Sequence, residues 1–350
     1  MEGRGYIVKR IRYGILGCGT IAHTHAEAIM GIREAVVAAC FDINETAARS
    51  FGEKYGCTVY TDLAALLAED TVDAVAVCTP CATHTAIIRK AADYGKHILC
   101  EKPVEVSADR FQGMIDYCTA RRVLFAGVLQ HRYDPAVEAV RRVLDTGHIG
   151  ELLCASVRMM WHRDEDYFHQ SSWRTTRENG GTALINQGIH YVDLLLYLAG
   201  DVASVCGSCC TLGKDALTEN YASAQLHFRN GAVGSIECTT VAYPGLYSEL
   251  GLFGEKGSLV LRNDELFFYE VKGERDPVLE QQVNSEAVLL KNRDNLVQCE
   301  GHRRQYADFN RAILGDAPLQ FDAGEALKTI RFLEALEVSS RERCWVNMEQ

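Results

Sequence analysis

Three constellations in this 350-residue chain bring together residue types that can do chemistry. Glu101-Lys102-Pro103 follows the apolar run His97-Ile98-Leu99-Cys100, which reads as a buried strand. Strand ends in an open parallel sheet face the crevice where ligands bind, so an acid, a base and a ring-locked residue there are placed to meet one. Proline fixes its own φ and can take the cis form, which would aim the lysine before it. Far down the chain Asn186, His190 and Asp193 recur at helical spacing, and on an α-helix they lie within about 60° of one another. An imidazole titrates near neutrality and can take or give a proton. An ammonium beside an oxygen stabilises developing alkoxide. The third constellation, Gly17-Cys18-Gly19-Thr20-Ile21-Ala22, matches G-x-G-x-x-A. Its first glycine allows a tight turn, its second lets a pyrophosphate approach the backbone, and the small third residue lets helix and strand pack closely.

The elements that position these groups follow from the hydrophobic pattern. Tyr13-Gly14-Ile15-Leu16 predicts a strand into the glycine turn, and a helix follows to about Met30. The next strand, residues 36–41, ends at Asp42, about 25 residues after Gly17, where a ribose-binding acid belongs. Continuous apolar runs such as Ala74-Val75-Ala76-Val77-Cys78 suit strands covered on both faces. Helices at about 43–55, 62–69, 81–94 and 107–122 alternate with strands at 97–100 and 123–128. Such units predict a parallel, doubly wound α/β sheet, a Rossmann dinucleotide-binding domain over residues 1–128. After Gln130-His131-Arg132-Tyr133 the pattern changes. A helix at 134–145, a strand at 152–158, a polar aromatic loop at 161–179 and a helix from about Gly181-Thr182 come next. Strand-like stretches at 203–210, 221–228, 232–241, 246–253 and 258–261 then follow without intervening helices, which predicts a largely antiparallel sheet. Residues 129–350 are thus expected to form an α+β substrate-binding and oligomerisation domain. Its terminal helices, at 302–314 and 324–339, are positioned to pack back on the first domain.

A net charge of −11 and a pI near 5.5 argue against nucleic acid or an anionic membrane as partner. No apolar run approaches the roughly 18 residues of a membrane span. Met1-Glu2-Gly3-Arg4-Gly5 lacks the apolar core of a signal peptide. The 14 cysteines sit mostly in apolar runs, which suits reduced thiols in a cytoplasmic protein.

Four motifs together resemble the glucose–fructose oxidoreductase / inositol dehydrogenase / rhizopine-catabolism (Gfo/Idh/MocA) family. They are the fingerprint at 17–22 with His25 behind it, Thr79-Pro80 with His84, Glu101-Lys102-Pro103, and Gly180-Gly181-x4-Asn186-x-Gly188-x-His190-x2-Asp193. The tail from His302 through Asp308-Phe309 to about Ser339 is similar too. The resemblance implies a dehydrogenase that moves a hydride between nicotinamide and a secondary hydroxyl or keto group of a sugar, nucleotide sugar or cyclitol. It implies no metal, and a homodimer or homotetramer. By the resemblance His190 is the acid–base group, Lys102 the partner of the reacting hydroxyl, and Asn186, Arg132, Trp173 and Arg174 contact substrate. Gly17, Gly19, Thr20, Ile21, Asp42, Thr79, Pro80, His84, Glu101 and Lys102 are expected at the cofactor. Glu101 has two readings, holding Lys102 or contacting the ribose. Asp42 should repel a 2′-phosphate, and Ile43-Asn44 supplies no arginine to receive one, so NAD(H) is expected over NADP(H).

One departure stands out. Many family members carry an acid where Asn186 stands, whereas an amide can only exchange hydrogen bonds. The Asn186-Gln187-Gly188-Ile189-His190 context leans toward a sugar or nucleotide sugar. Rival readings are a thiol–disulfide catalyst at Cys78-Thr79-Pro80-Cys81, an NAD-dependent glycosidase of the same family, and an inactive NAD-binding regulator. His162, Asp164, Asp166 and His169 read as a solvated loop rather than a metal cluster.

Overall fold

The computed structural model describes residues 10–169, 172–213, 217–283 and 299–348. In chain order the first part holds β1 (Ile11–Leu16), α1 (Thr20–Met30), β2 (Ala35–Phe41), α2 (Glu45–Tyr55), β3 (Thr58–Tyr60), α3 (Leu63–Leu67), β4 (Ala74–Val77), α4 (His84–Asp93), β5 (His97–Cys100), α5 (Ala108–Ala120) and β6 (Phe125–Gly127). The six strands form one parallel sheet in the order β3-β2-β1-β4-β5-β6. The order reverses between β1 and β4, the switch point at which doubly wound folds bind ligands. Every residue of β4 is buried, as its unbroken apolar run requires. Ala22 and Ala26 of α1 are fully buried, and their small side chains let the helix lie close over the sheet.

The later elements are α6 (Pro135–Asp145), β7 (Leu152–Met160), α7 (Glu165–His169), a π-helical stretch (Ala183–Gly188), α8 (Ile189–Ala199), β8 (Val202–Cys210), β9 (Tyr221–Phe228), β10 (Val233–Thr239), β11 (Ser248–Gly254), β12 (Gly257–Arg262), β13 (Glu265–Val271), α9 (Pro277–Glu280), α10 (Glu300–Leu314), α11 (Ala323–Glu342) and β14 (Val346–Asn347). Eight strands form a sheet ordered β13-β12-β11-β7-β10-β9-β8-β14. All its neighbours pair antiparallel except β7 and β10, which run parallel. In β9 buried and more exposed positions alternate along the strand, the period-2 pattern of a sheet with one covered face. Cys206 and Cys209 on β8 are half-buried.

The chain divides into two compact units. The first takes the described parts of Met1–Val104, Asp109–Gln130 and Val297–Ala326, and the second Glu105–Ala108, His131–Leu296 and Leu327–Gln350. Within the first, α10 lays Tyr306 and Phe309 into the same core as Tyr13, Ile15 and Ala26. The Tyr13 hydroxyl donates to Asn310 at 2.7 Å. Among the described residues no helix is long and apolar enough to cross a membrane.

Candidate active site

In the first unit the glycine fingerprint closes β1 onto α1. Gly17 has φ +91°, and a Cβ there would come within 3.0 Å of the Cys78 carbonyl, so only glycine fits. Gly19 is different, because a Cβ on it would meet nothing within 4 Å. The protein's own packing does not demand that glycine; the open space is what a phosphate would use. α1 starts beyond it with no side-chain cap and no acidic residue in its first turn, which leaves its N–H groups and positive dipole end to an anion. Asp42 directly follows β2, where Oδ2 accepts from the Cys18 amide and Oδ1 from the Asn44 amide, both at 2.7 Å. These bonds fix the carboxylate beside the turn and still leave lone pairs for ribose hydroxyls. Gly17, Gly19, Thr20, Ile21 and Asp42 therefore fit a dinucleotide.

Thr79 and Pro80 follow β4. His84 is buried and does not reach outward, since its ring nitrogens lie 3.0 Å from the Val104 carbonyl and 2.7 Å from that of Thr79. It clamps the turn after β4 to the segment after Lys102-Pro103, a positioning role in place of the expected cofactor contact. Cys78 and Cys81 are buried, which removes them from the surface where a dithiol catalyst would meet its disulfide.

Glu101 is also buried. Its Oε1 lies 2.8 Å from His25 Nε2, and its Oε2 accepts from the Lys102 amide at 2.9 Å. Of the two readings of Glu101, this geometry serves the holding of Lys102, through the backbone, whose bond to Pro103 is cis. His25 Nδ1 meets the Tyr306 hydroxyl at 2.6 Å, and His302 Nε2 stands 3.8 Å from Glu101. Burial works against a charged His25, but the Cys78 sulfur and the Glu101 carboxylate outweigh it and lift the imidazole to about 10. Burial likewise works against a charged Glu101, yet the hydrogen bond from His25 and the nearby His302 ring hold it well below the usual carboxylate range. Each partner thus favours the charged form of the other. Ligand atoms of His25, Glu101 and His302 lie within 4.8 Å of one another, so these are the described residues that could also close on a metal ion. In the sequence His25 and His302 stand only as parts of separate motifs, because their meeting depends on α10 returning to the first unit.

In the second unit a single helix was expected to carry Asn186, His190 and Asp193 on one face. Instead Asn186 lies in the π-helical stretch and His190 in α8, so the 3.6-residue period does not run through the three. A π turn in place of α is a frequent mark of functional sites. Thr182 opens the stretch, accepting from the Ile185 amide at 3.2 Å. His190 is half-buried, with its ring edge-to-face on His131 at 4.9 Å. His131 Nδ1 is 2.7 Å from Asp134. Asp264 accepts from the Tyr191 hydroxyl at 2.7 Å and stands 3.9 Å from His131. His131 is thus a functional candidate that sequence reasoning passed over, since only the fold brings it to α8.

Asn186 Nδ2 and Gln187 Nε2 both donate to the Tyr167 hydroxyl, at 3.3 and 2.6 Å. Arg174 joins them, its guanidinium 4.1 Å from the Tyr167 ring and its Nη1 donating to the Tyr167 carbonyl at 2.8 Å. The side chain of Trp173 lies outside the described residues. Arg132 departs from expectation. It is 2% exposed, and Nε and Nη2 grip both carboxylate oxygens of Asp193 at 2.9 Å. The Thr329 hydroxyl adds a bond to Asp193 at 2.9 Å. A bidentate buried pair of this kind braces α8, and it takes both Arg132 and Asp193 away from substrate.

Family models match this architecture in both units. Residues 11–128 match the oxidoreductase family with an NAD-binding Rossmann fold, and residues 137–260 match the GFO/IDH/MocA C-terminal domain. The chain belongs to the Gfo/Idh/MocA family. Inositol 2-dehydrogenase of Rhizobium meliloti is 29% identical to this Gfo/Idh/MocA protein over 271 residues, 75% of this chain and 78% of that one. The WlbA dehydrogenase of Bordetella pertussis, solved with NADH and UDP-GlcNAcA, is 26% identical at a TM-score of 0.85, covering 98% of this chain and 100% of that one. The Chromobacterium violaceum WlbA dehydrogenase, solved with the same two molecules, is also 26% identical at a TM-score of 0.87, with 97% and 96% covered.

Proposed function

We propose that this Gfo/Idh/MocA oxidoreductase uses NAD(H) to interconvert a secondary hydroxyl and a ketone on a sugar, nucleotide sugar or cyclitol. The observation that carries this reading is the open Gly19 turn at the uncapped start of α1, with Asp42 fixed beside it, in a chain that also presents a half-buried His190. When bound, the nicotinamide supplies the hydride acceptor or donor. His190 takes the hydroxyl proton, the Lys102 ammonium stabilises charge developing on that oxygen, and Asn186 orients the substrate by hydrogen bonds. Self-association as a dimer or tetramer through the second unit is part of the same reading. A screen over cyclitols, aldoses, sugar acids and nucleotide sugars, followed by the absorbance of reduced nicotinamide, tests it. Net NADH formation is expected with at least one class. Binding of NAD without net reduction across the whole panel would favour a regulator or a glycosidase.

Cofactor choice follows from the end of β2. Asp42 is held in place by two amides, Asn44 spends its side-chain oxygen capping α2, and Arg49 is tied to Glu45 at 2.9 Å. A 2′-phosphate would meet that carboxylate and be repelled by it. We expect kcat/KM to favour NAD over NADP by about tenfold or more, and Asp42→Ser to narrow the gap. Higher kcat/KM with NADP would overturn the assignment.

A further inference from the structure

Arg163 is a cation that neither the fold nor the proposed chemistry accounts for. It continues the β7 strand past Trp161, and its own amide donates to the Thr240 carbonyl at 2.8 Å, so its backbone is fixed. The Trp161 indole beneath it is anchored as well, donating to Ser248 at 2.9 Å. The guanidinium lies 5.1 Å from the Trp161 ring and 5.2 Å from the Tyr167 ring. Two aromatic faces can hold a cation but do not satisfy its N–H groups. Nε is buried without a hydrogen-bond partner. Nη1 reaches the neighbouring His162 carbonyl only at 3.4 Å, and Nη2 reaches Gln187 Oε1 only at 3.5 Å. Among the described residues no carboxylate forms an ion pair with it. Burial disfavours its charge, Tyr167 and Asp164 offset this in part, and Arg174 opposes it.

The surroundings are those of a receptor. Gln187, which faces the guanidinium, neighbours Asn186, which the proposed function gives to substrate. The Tyr167 hydroxyl already accepts from both amides, so its own proton is directed elsewhere and can be donated. A half-buried guanidinium with weak contacts, next to a hydroxyl with a proton to give, is complementary to an oxyanion.

We propose that Arg163, with Tyr167, receives an anionic group of the substrate, so that the sugar turned over carries a carboxylate or a phosphate. The proposal rests on the carbohydrate reading of this site and names the substrate class within it. Arg163 acts here as a specificity-determining residue and takes no part in the proton transfer.

Calorimetric titration of the full chain with NADH present reads binding whether or not hydride transfer occurs, which separates a failure here from a failure of the dehydrogenase reading. The probes are matched pairs that differ at one carbon: glucuronate against glucose, galacturonate against galactose, UDP-glucuronate against UDP-glucose. Glucose 6-phosphate and galactose 6-phosphate form the phosphate arm. At least one anionic member should bind about tenfold to a hundredfold more tightly than its neutral twin, the scale of a charge-assisted hydrogen bond. The arm that shows the gain identifies the anion. Arg163→Gln should erase the gain while leaving NADH binding unchanged, and Arg163→Lys, which keeps charge without the fork, should retain part of it. No gain in any pair, or a gain that survives in Arg163→Gln, would overturn the proposal.

Discussion

On a substrate found by the screen, Lys102→Met and His190→Ala should each lower kcat by about 10²-fold or more, the usual scale for charge-stabilising and acid–base groups. The two should differ in their effect on the cofactor. His190 belongs to the second unit, whereas the glycine turn and Asp42 belong to the first, so His190→Ala should leave NADH affinity, read by fluorescence titration, nearly unchanged. Lys102 follows β5 in the cofactor-binding unit, and its loss should perturb that affinity modestly. Near-normal turnover in His190→Ala would show that the proton is handled elsewhere. His131 is then the group to substitute, because its ring meets that of His190 at 4.9 Å and its Nδ1 is braced by Asp134.

What the sequence disclosed follows from how local each signal is. The strand, glycine turn, helix and acid at 13–42 are contiguous, and each residue type has a backbone reason visible in the string itself. The buried β4 likewise announces itself by its unbroken apolar run. Arg132 was misjudged for the opposite reason. Its partner Asp193 lies 61 positions away, and only folding reveals that the guanidinium is consumed by that carboxylate. His84 misled in the same way, since its partners are main-chain carbonyls that no composition reveals. The π turn at Asn186 was also out of reach, because a pattern read at 3.6 residues per turn carries no mark of a five-residue hydrogen bond. Arg163 belongs to a loop whose polar aromatic composition says nothing of which cation is left short of acceptors.

The charge pair behind Lys102 should show its weight in stability and in its pH dependence. Glu101→Ala leaves His25 buried without its carboxylate, the situation in which breaking a buried pair costs about 3–5 kcal/mol. Hydrogen exchange at the β4 and β5 amides reports on this unit, including the Glu101 amide bonded to Val77 at 2.9 Å. All three tryptophans (161, 173 and 345) lie in the other unit, so their fluorescence would miss it. The sign follows from the two shifts. Glu101 is depressed from 4.5, so its contribution is present above that value and is lost as pH falls through its lower folded pKa. His25 is raised from 6.5 to about 10, so its contribution is full below 6.5 and declines as pH rises toward about 10. The difference in protection between wild type and Glu101→Ala should therefore be greatest between 4.5 and 6.5 and shrink on the alkaline side. Removing both charges together, His25→Gln with Glu101→Gln, should regain part of the loss, since no uncompensated ion of the pair then remains buried. A loss below about 1 kcal/mol, or one that does not vary with pH, would mean that His25 is neutral in the fold and that Lys102 is held by hydrogen bonds alone.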